Sequence, residues 1–286
     1  MLRVRSLDLL AVAALGLVIF ALAAEQPPGT PVCLQADNFR DDGDFDLSTQ
    51  SAGSALVIED LRWSTHEECE RFVIELDGGP GDVDAAVIRD LGLVRVHLEE
   101  AIDVDTGDDP ATAEYAIGGE LAEHAYVVRH SDGSLYVDLH LASEAEAAVM
   151  LLGNRVIVDL RAGGESLPTR AEVDDSTVLL SPREGDRLQY PLHVRGYARH
   201  FEGEVVLRAA RDGELVGEEV PVVATDRAEA WGEFSVFLTA EEAPPGRIEL
   251  EAGEYSAEDG SWQGVAVGVE AGRATVVPGL GAHVSP

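Results

Sequence analysis

The sequence predicts an all-β protein built as two antiparallel β-sandwich domains. A chain of 286 residues is long enough for two domains that each bury a core. Hydrophobic residues make up 45% of the chain and charged residues 26%, so there is enough apolar surface to offset the entropy cost of folding. Apolar and polar residues alternate with a period of two along most of the chain, and turn residues separate these segments, which is typical of half-buried strands.

The N-terminus has the features of a secretory signal peptide. Arg3 and Arg5 precede an apolar run at residues 9–24 that contains small residues near its end. We therefore expect residues 1–23 to be removed by cleavage after Ala23, and the mature chain to be secreted or associated with the cell envelope. The alternative is an uncleaved N-terminal anchor, because the run is only slightly shorter than the roughly 20 residues that span a bilayer.

Residues 24–53 are rich in Pro, Asp, Gly and Ser and are predicted to form an exposed acidic leader. The chain has two cysteines, Cys33 and Cys69, and an even pair in an oxidising compartment is more often a disulfide than two thiols. The glutamates on both sides of Cys69 disfavour a thiolate, which argues against a catalytic or metal-binding cysteine. We therefore predict a disulfide that ties the leader to the first domain and contributes at most about 4 kcal/mol to stability.

The first domain is predicted over residues 54–162. Its strand segments share strict alternation of apolar residues, namely Phe72, Ile74 and Leu76; Val94, Val96 and Leu98; Leu135, Val137, Leu139 and Leu141; and Val156, Val158 and Leu160. Residues 143–152 lack this alternation and are predicted to form a short helix.

Residues 163–172 contain Gly163, Gly164 and Pro168 without periodicity, and are predicted to be a linker. The second domain is predicted over residues 173–278, where short alternating segments resume between Gly, Pro and Asp turns. This spacing indicates a second antiparallel sandwich.

The second half resembles the immunoglobulin-like domain of bacterial spore germination. Four separated motifs carry the resemblance: Ser181 and Pro182 with Gly185 and Asp186; residues 191–199 (PLHVRGYAR); residues 201–203 (FEG); and residues 256–261 (SAEDGS). The resemblance implies an immunoglobulin-like sandwich, and it brings no catalytic residue, because the matching glycines and turn residues are structural.

The first half resembles the AMIN-like β-domains of actinobacterial envelope proteins. Leu61 and Arg62, residues 70–76 (ERFVIEL) and residues 155–161 (RVIVDLR) carry this resemblance. Together the two resemblances imply a non-enzymatic binding or scaffolding protein of the bacterial cell envelope, linked to cell-wall or sporulation and germination processes. The expected partner is an envelope protein or a cell-wall polymer, and the competing hypothesis is a secreted hydrolase or an accessory subunit of a cell-wall hydrolase.

The charge of the chain excludes several classes of function. Asp and Glu number 54 against 20 basic residues, a formal net charge of −34, and no basic cluster is present. A nucleic-acid partner is therefore not expected, and contact with a membrane is expected only through an uncleaved N-terminal segment. All 20 basic residues are arginines, which excludes Schiff-base lysines, Walker-type phosphate loops and Ser-Lys dyads.

The carboxylate motifs do not predict a catalytic or metal site. Asp105, Thr106 and Gly107 form the triplet of aspartic proteases, but Asp108 and Asp109 follow and would disturb a shared-proton dyad, so an acidic loop is favoured. The leader's alternating aspartates do not complete an EF-hand, and only weak, non-specific cation binding is expected there.

The histidines likewise match no known spacing. Neither a His-Glu-x-x-His motif nor a Gly-x-Ser-x-Gly elbow occurs in the sequence. Asp138 and His140 share one face of a predicted strand, which supplies two metal ligands at most, and a solvent-exposed strand face is the favoured interpretation. We therefore predict no catalytic residue, no cofactor and no metal site.

Five aromatic residues are candidates for an exposed binding patch: Trp63, Trp231, Trp262, Tyr197 and Tyr255. For each residue taken singly, a place in or at the rim of a core is the favoured alternative.

The net charge predicts how stability responds to salt. Carboxylates repel one another across an acidic surface, and salt screens this repulsion as the Debye length falls from about 30 Å at 0.01 M to 3 Å at 1 M. We expect the melting temperature to rise between low and moderate sodium chloride concentration. A melting temperature that falls with added salt would show that attractive pairs outweigh the net repulsion.

Overall fold

The computed structural model describes residues 33–47, 53–105, 113–226 and 230–272, which belong to one compact unit. The predicted signal peptide and the part of the predicted leader before residue 33 lie outside the described residues. No helix in the described ranges is long and apolar enough to cross a membrane.

The described part of the chain is all-β, as predicted, and contains twenty strands. They are β1 (Gly43–Phe45), β2 (Val57–Thr65), β3 (Glu70–Leu76), β4 (Val83–Ile88), β5 (Leu93–Leu98), β6 (Asp103–Val104), β7 (Glu114–Ala116), β8 (Ala122–Arg129), β9 (Leu135–Leu141), β10 (Ala145–Leu152), β11 (Arg155–Ala162), β12 (Glu172–Val173), β13 (Thr177–Ser181), β14 (Arg187–Leu188), β15 (Leu192–Ala198), β16 (Glu204–Arg211), β17 (Glu214–Val223), β18 (Trp231–Leu238), β19 (Gly246–Tyr255) and β20 (Trp262–Ala271). Short 3₁₀ turns occur at Ala36–Asn38, Arg89–Leu91 and Phe201–Gly203.

These strands form three sheets. The large sheet has the order β1-β4-β5-β9-β8-β18-β15-β13-β12, and β7 also pairs with β8. The N-terminal sheet has the order β10-β11-β3-β2-β6, and the C-terminal sheet has the order β14-β20-β19-β16-β17. Pairing is antiparallel except for the short pairs β2–β6, β8–β18 and β14–β20.

In the first sandwich, the N-terminal sheet packs against the part of the large sheet formed by β1, β4, β5, β9 and β8. Phe72 and Ile74 of β3 are fully buried in one core with Val94 of β5 and Val137 of β9. Residues of β3 are alternately buried and half-buried, as the period-two pattern predicts. The second sandwich has its own core, which Leu207 and other buried residues of the C-terminal sheet share with β15 and β18.

The predicted disulfide is confirmed, and it lies beside an integrated leader segment. Cys33 and Cys69 are bonded, with their Cα atoms 6.1 Å apart. Arg40 and Ala147 exchange two backbone hydrogen bonds of 2.9 and 2.8 Å, and β1 pairs with β4. Leu47 is buried. This part of the predicted leader therefore adds a strand to the large sheet and is not wholly exposed.

The prediction of a short helix at residues 143–152 is wrong, because Ala145–Leu152 is strand β10. The segment is rich in alanine and leucine, which favour helix locally. However, β10 pairs with β11 in eight successive positions, from Ala145 opposite Ala162 to Leu152 opposite Arg155. Long-range pairing and burial of the alanines in the first core override the local preference.

The two halves share the large sheet. Trp231 and Gly232 of β18 pair in parallel with Val128 and Arg129 of β8. The Arg129 guanidinium also donates from Nε to Asp226 Oδ2 at 2.5 Å, which links the same strand end to the second half. The protein thus consists of two sandwiches that share one continuous sheet. The domain boundary at residues 163–172 stays a prediction.

Gly196 of β15 lies where only glycine fits. A Cβ atom at this position would lie 2.2 Å from the carbonyl oxygen of Val178 and 2.5 Å from Cζ of Phe234. The glycine of the PLHVRGYAR motif therefore has a structural role, as the resemblance implies, through close packing inside the strand.

A buried ion pair lies where the two halves meet. Arg95 of β5 donates from Nε and Nη2 to the two carboxylate oxygens of Asp138 on β9, both at 2.7 Å. The hydroxyl of Tyr197, on β15 in the second half, also donates to Asp138, whose side chain has no solvent exposure. Burial alone would lower the pKa of Arg95, but attraction to Asp138 outweighs it and the pKa is raised. Burial raises the pKa of Tyr197 well above its ordinary value, so this hydroxyl keeps its proton.

Breaking this ion pair is expected to destabilise the protein strongly. Asp138→Asn removes the negative charge without changing the side-chain shape and leaves Arg95 without its counterion, which should cost about 3–5 kcal/mol of unfolding free energy. Chemical denaturation followed by circular dichroism measures this loss. The matched control is Glu123→Gln, because Glu123 pairs with a mostly exposed Arg170 at 2.8 Å and its loss should cost no more than about 1 kcal/mol. Equal losses in the two variants would contradict the argument.

Candidate functional site

The structure divides the five predicted aromatic candidates into buried and surface residues. Tyr197 and Trp231 are fully buried, so the patch hypothesis is wrong for both. Trp63 is half-buried and packs against the first core beside Phe72, with ring centroids 6.3 Å apart. Tyr255 and Trp262 lie together on the outer face of the C-terminal sheet.

Tyr255 and Trp262 form an aromatic patch with Arg208. The two aromatic residues are directly opposite each other at the ends of β19 and β20, and their rings meet edge to face with centroids 5.2 Å apart. The Arg208 guanidinium, from β16, lies 3.5 Å from the centroid of the Trp262 ring, and its Nη1 donates to the Tyr255 hydroxyl at 3.0 Å. Tyr255 is 42% exposed, so solvent and ligands can reach the patch.

Two carboxylates hold the polar side of the aromatic patch in place. Arg208 Nε donates to Glu251 Oε2 at 2.5 Å, and the Tyr255 hydroxyl donates to Glu219 of β17. The rotamers of Arg208 and Tyr255 are therefore set before any ligand arrives.

The turn that joins the two aromatic residues explains their placement. Asp259 Oδ1 accepts hydrogen bonds from Ser261 N at 2.9 Å and Ser261 Oγ at 2.7 Å. Gly260 adopts a φ of +72°, a conformation that favours glycine. The turn residues of the SAEDGS motif therefore form a tight turn, which brings Tyr255 and Trp262 into register.

A second group of polar side chains, the histidine cluster, consists of His97, His130, Asp132 and Ser134. His97 Nε2 lies 2.7 Å from Ser134 Oγ, which donates to Asp132 Oδ1 at 2.5 Å. His130 Nδ1 lies 3.2 Å from Asp132 Oδ1. Hydrogen bonds from the Ser134 side chain and backbone lower the pKa of the Asp132 carboxyl, which is therefore ionised at neutral pH.

The histidine cluster borders a cavity of about 390 Å³ on the outer face of the large sheet. Its walls include Asp44, Phe45, Asp84, Arg95, His97, His130 and Tyr136. The Arg95 guanidinium lies 3.9 Å from the centroid of the Tyr136 ring, so the cavity has one cationic and aromatic wall and one acidic side.

The histidine cluster does not have the order of a catalytic triad. In a triad the histidine lies between the nucleophilic serine and the carboxylate and takes the serine proton. Here Ser134 lies between His97 and Asp132, and it gives its proton to the carboxylate. Ser134 is also buried. This geometry therefore does not activate a nucleophile and does not support the hydrolase hypothesis.

The other predicted polar residues are not brought together as a site. Asp42, Asp44 and Asp46 are exposed, and Thr106 and Gly107 of the Asp-Thr-Gly triplet lie outside the described residues. Asp138 and His140 are both buried, so the expectation of a solvent-exposed strand face is wrong for them. Asp138 is paired with Arg95 and Tyr197, so it does not join His140 as a metal ligand.

His140 lines a cavity of about 560 Å³ between the end of β9 and residues 162–171. Its ring packs edge to face on Tyr126 with centroids 5.0 Å apart, and its Nε2 atom is buried without a hydrogen bond. Burial lowers the pKa of His140 to about 4, with Arg183 and His124 acting in the same direction and Asp138 opposing them. The imidazole is neutral at pH 7.

Residues 177–261 match the family model of the immunoglobulin-like domain of bacterial spore germination. The match begins at β13 and ends at the turn before β20, so it includes Arg208, Glu251 and Tyr255 of the aromatic patch. It confirms the resemblance proposed for the second half. Comparison of the chain with curated proteins and with solved structures gave no match, and the resemblance of the first half to AMIN-like domains finds no support.

The buried neutral His140 predicts a loss of stability in acid. The unfolded chain binds a proton at this side chain near pH 6.5, whereas the folded protein does so only near pH 4, so stability falls as the pH decreases through this window. We expect the wild type to lose about 3 kcal/mol more unfolding free energy than His140→Gln between pH 7 and pH 4, measured by urea titration. The control is His66→Gln, at a histidine whose Nε2 lies 3.0 Å from Ser64 Oγ on the protein surface, and this variant should follow the wild type. A His140→Gln variant that loses stability in parallel with the wild type would contradict this assignment.

Proposed function

We propose that this protein is a non-enzymatic binding or scaffolding protein of the bacterial cell envelope that acts outside the cytoplasm. The match of residues 177–261 supports a germination-related role, because the matched family is a domain of bacterial spore germination, and it supports a non-enzymatic role, because that family is non-catalytic. The Cys33–Cys69 disulfide supports an oxidising compartment, where such bonds persist.

The aromatic patch is the observation that carries the proposed binding function. An aromatic ring beside fixed hydrogen-bonding groups suits a sugar, which has an apolar C–H face and hydroxyls around its edge. Trp262 and Tyr255 supply the rings, and Arg208, Glu219 and Glu251 supply the donors and acceptors. The patch therefore fits a glycan strand of the cell wall.

The net charge favours this ligand over other envelope polymers. Glycan strands without charged substituents are nearly neutral, whereas teichoic-type polymers are anionic and would be repelled by a chain with a formal net charge of −34. Binding to neutral glycan should therefore depend little on ionic strength. A protein partner would instead present a basic surface, and its association would slow as salt screens the attraction.

Co-sedimentation with purified cell-wall sacculi tests the proposal. The chain from residue 24 onward is incubated with sacculi at 0.15 M salt, and the bound fraction is measured over a range of protein concentrations. We expect Trp262→Ala and Tyr255→Ala each to weaken binding about tenfold, which corresponds to about 1.4 kcal/mol of lost contact energy.

The matched control for the sedimentation experiment is Phe237→Ala. Phe237 is 58% exposed on β18 and stacks on His193 at 4.3 Å, so it is an aromatic surface residue away from the patch. It should bind like the wild type. Equal binding by the wild type and Trp262→Ala would refute the glycan assignment, and turnover of cell-wall substrates by the purified protein would refute the non-enzymatic part of the proposal.

A further inference from the structure

We infer that His97, His130 and Asp132 form a binding site for one Zn²⁺ ion. This site goes beyond the proposed function and is separate from the aromatic patch. One ligand atom from each of the three residues lies within 4.8 Å of the other two. Two imidazoles and one carboxylate form a donor set that zinc sites in proteins use, with further positions open to a hydroxyl, water or a ligand.

The three side chains come from two segments that the fold brings together. His97 lies on β5, directly opposite Tyr136 of β9. His130 and Asp132 lie in the tight turn that joins β8 to β9. Since β5 pairs with β9 along its whole length, the turn comes to lie beside the end of β5 that carries His97.

The β8–β9 turn is held rigidly, which favours a preformed site. His130 N donates to Ser134 O at 2.9 Å, and Gly133 N donates to His130 O at 3.0 Å. Arg129 braces the turn from outside by donating from Nη1 to Gly133 O at 3.1 Å and to Ile102 O at 2.9 Å. His130 and Asp132 are therefore fixed two residues apart on a stable loop.

One atom of the cluster has an unmet polar requirement. His130 Nδ1 is buried and has no well-aligned hydrogen bond, and its polar neighbour Asp132 Oδ1 lies 3.2 Å away. A buried nitrogen next to a carboxylate oxygen, without the geometry of a hydrogen bond, costs free energy unless a cation or water completes it. A metal ion between the two would satisfy both atoms.

Only small movements are needed to complete the coordination. With zinc–ligand distances of about 2.0–2.1 Å, tetrahedral ligands lie about 3.3 Å from one another. The Asp132 side chain is 59% exposed and can rotate toward the two rings, which are already 5.4 Å apart between centroids. The Ser134 hydroxyl, which bridges His97 Nε2 and Asp132 Oδ1, would turn aside as the ion binds, and water would complete the coordination.

The donor set and the local charge favour Zn²⁺ over harder cations. Ca²⁺ and Mg²⁺ prefer oxygen ligands, whereas imidazole nitrogen suits zinc and its neighbours in the first transition row. Asp84 is paired directly with His97 across β4 and β5, and Asp44 lies in the same cavity, so the local potential attracts a cation. The nearby Arg95 and Arg129 are neutralised by Asp138 and Asp226.

Metal titration of the full mature chain tests the inference. Zn²⁺ binding is measured by calorimetry at 0.15 M salt with millimolar Mg²⁺ and Ca²⁺ present, so that hard cations occupy the surface carboxylates. We expect one saturable equivalent of Zn²⁺. His97→Gln, His130→Gln and Asp132→Asn should each weaken it at least about tenfold, since even changes to outer-shell partners cost 10–100-fold in affinity.

The matched control for the titration is His193→Gln. His193 Nε2 lies 2.9 Å from Ser235 Oγ on the neighbouring strand, which reproduces the His97–Ser134 contact, but His193 is not part of the three-residue group. This variant should bind Zn²⁺ like the wild type. Absence of a saturable equivalent, or loss of affinity in His193→Gln equal to that in His97→Gln, would overturn the inference.

A measurement on the wild type guards against variants that fail to fold. The chain has eight histidines, and their imidazole nitrogens are separately visible by NMR of ¹⁵N-labelled protein. One equivalent of Zn²⁺ should perturb the imidazole signals of His97 and His130 and leave those of His66 and His193 unchanged. Perturbation confined to other histidines would overturn the proposed site.

Discussion

The burial of one carboxylate, that of Asp138, is the constraint on which the joint between the two halves depends. A charge without solvent exposure is tolerated only where donors surround it. Arg95 supplies two of these donors from the first half, and Tyr197 supplies one from the second. Because the donors come from both halves, the Asp138 carboxylate has all its hydrogen bonds only when the halves are assembled. Tyr126 of the first half and Trp231 of the second half also pack edge to face at this joint.

The alternating pattern was sufficient to predict the fold class and most strands, because a period of two reports directly which face of a strand is buried. It failed at β10, where helix-favouring alanines are held in a strand by β11. It also could not show that the β8–β18 pair continues one sheet through both halves. Pairing between strands about a hundred residues apart is decided by packing, and local sequence contains no signal for it.

The same limit explains which site residues were found. Tyr255 and Trp262 could be selected by residue type, and the Asp-Gly-Ser turn between them was recognisable, so their pairing was within reach of sequence reasoning. Tyr197 was equally eligible by type, but its burial depends on the second half covering the first. The histidine cluster was missed because His97 is 33 residues from His130 and no motif has that spacing. The His-x-Asp pair in a turn was the only local signal.

The shared sheet also has a consequence for the edges of the two halves. Beyond the reach of the short strand β7, the open side of β8 at Val128 and Arg129 is covered by Trp231 and Gly232 of β18, and β8 covers that end of β18 in return. An uncovered strand presents free amide and carbonyl groups that can recruit another chain, which is a route to aggregation. Division of the chain in the region 163–172 would uncover these two strand ends at once. The parallel contact of Trp231 and Gly232 with β8 therefore protects each half from unwanted self-association, in addition to joining them.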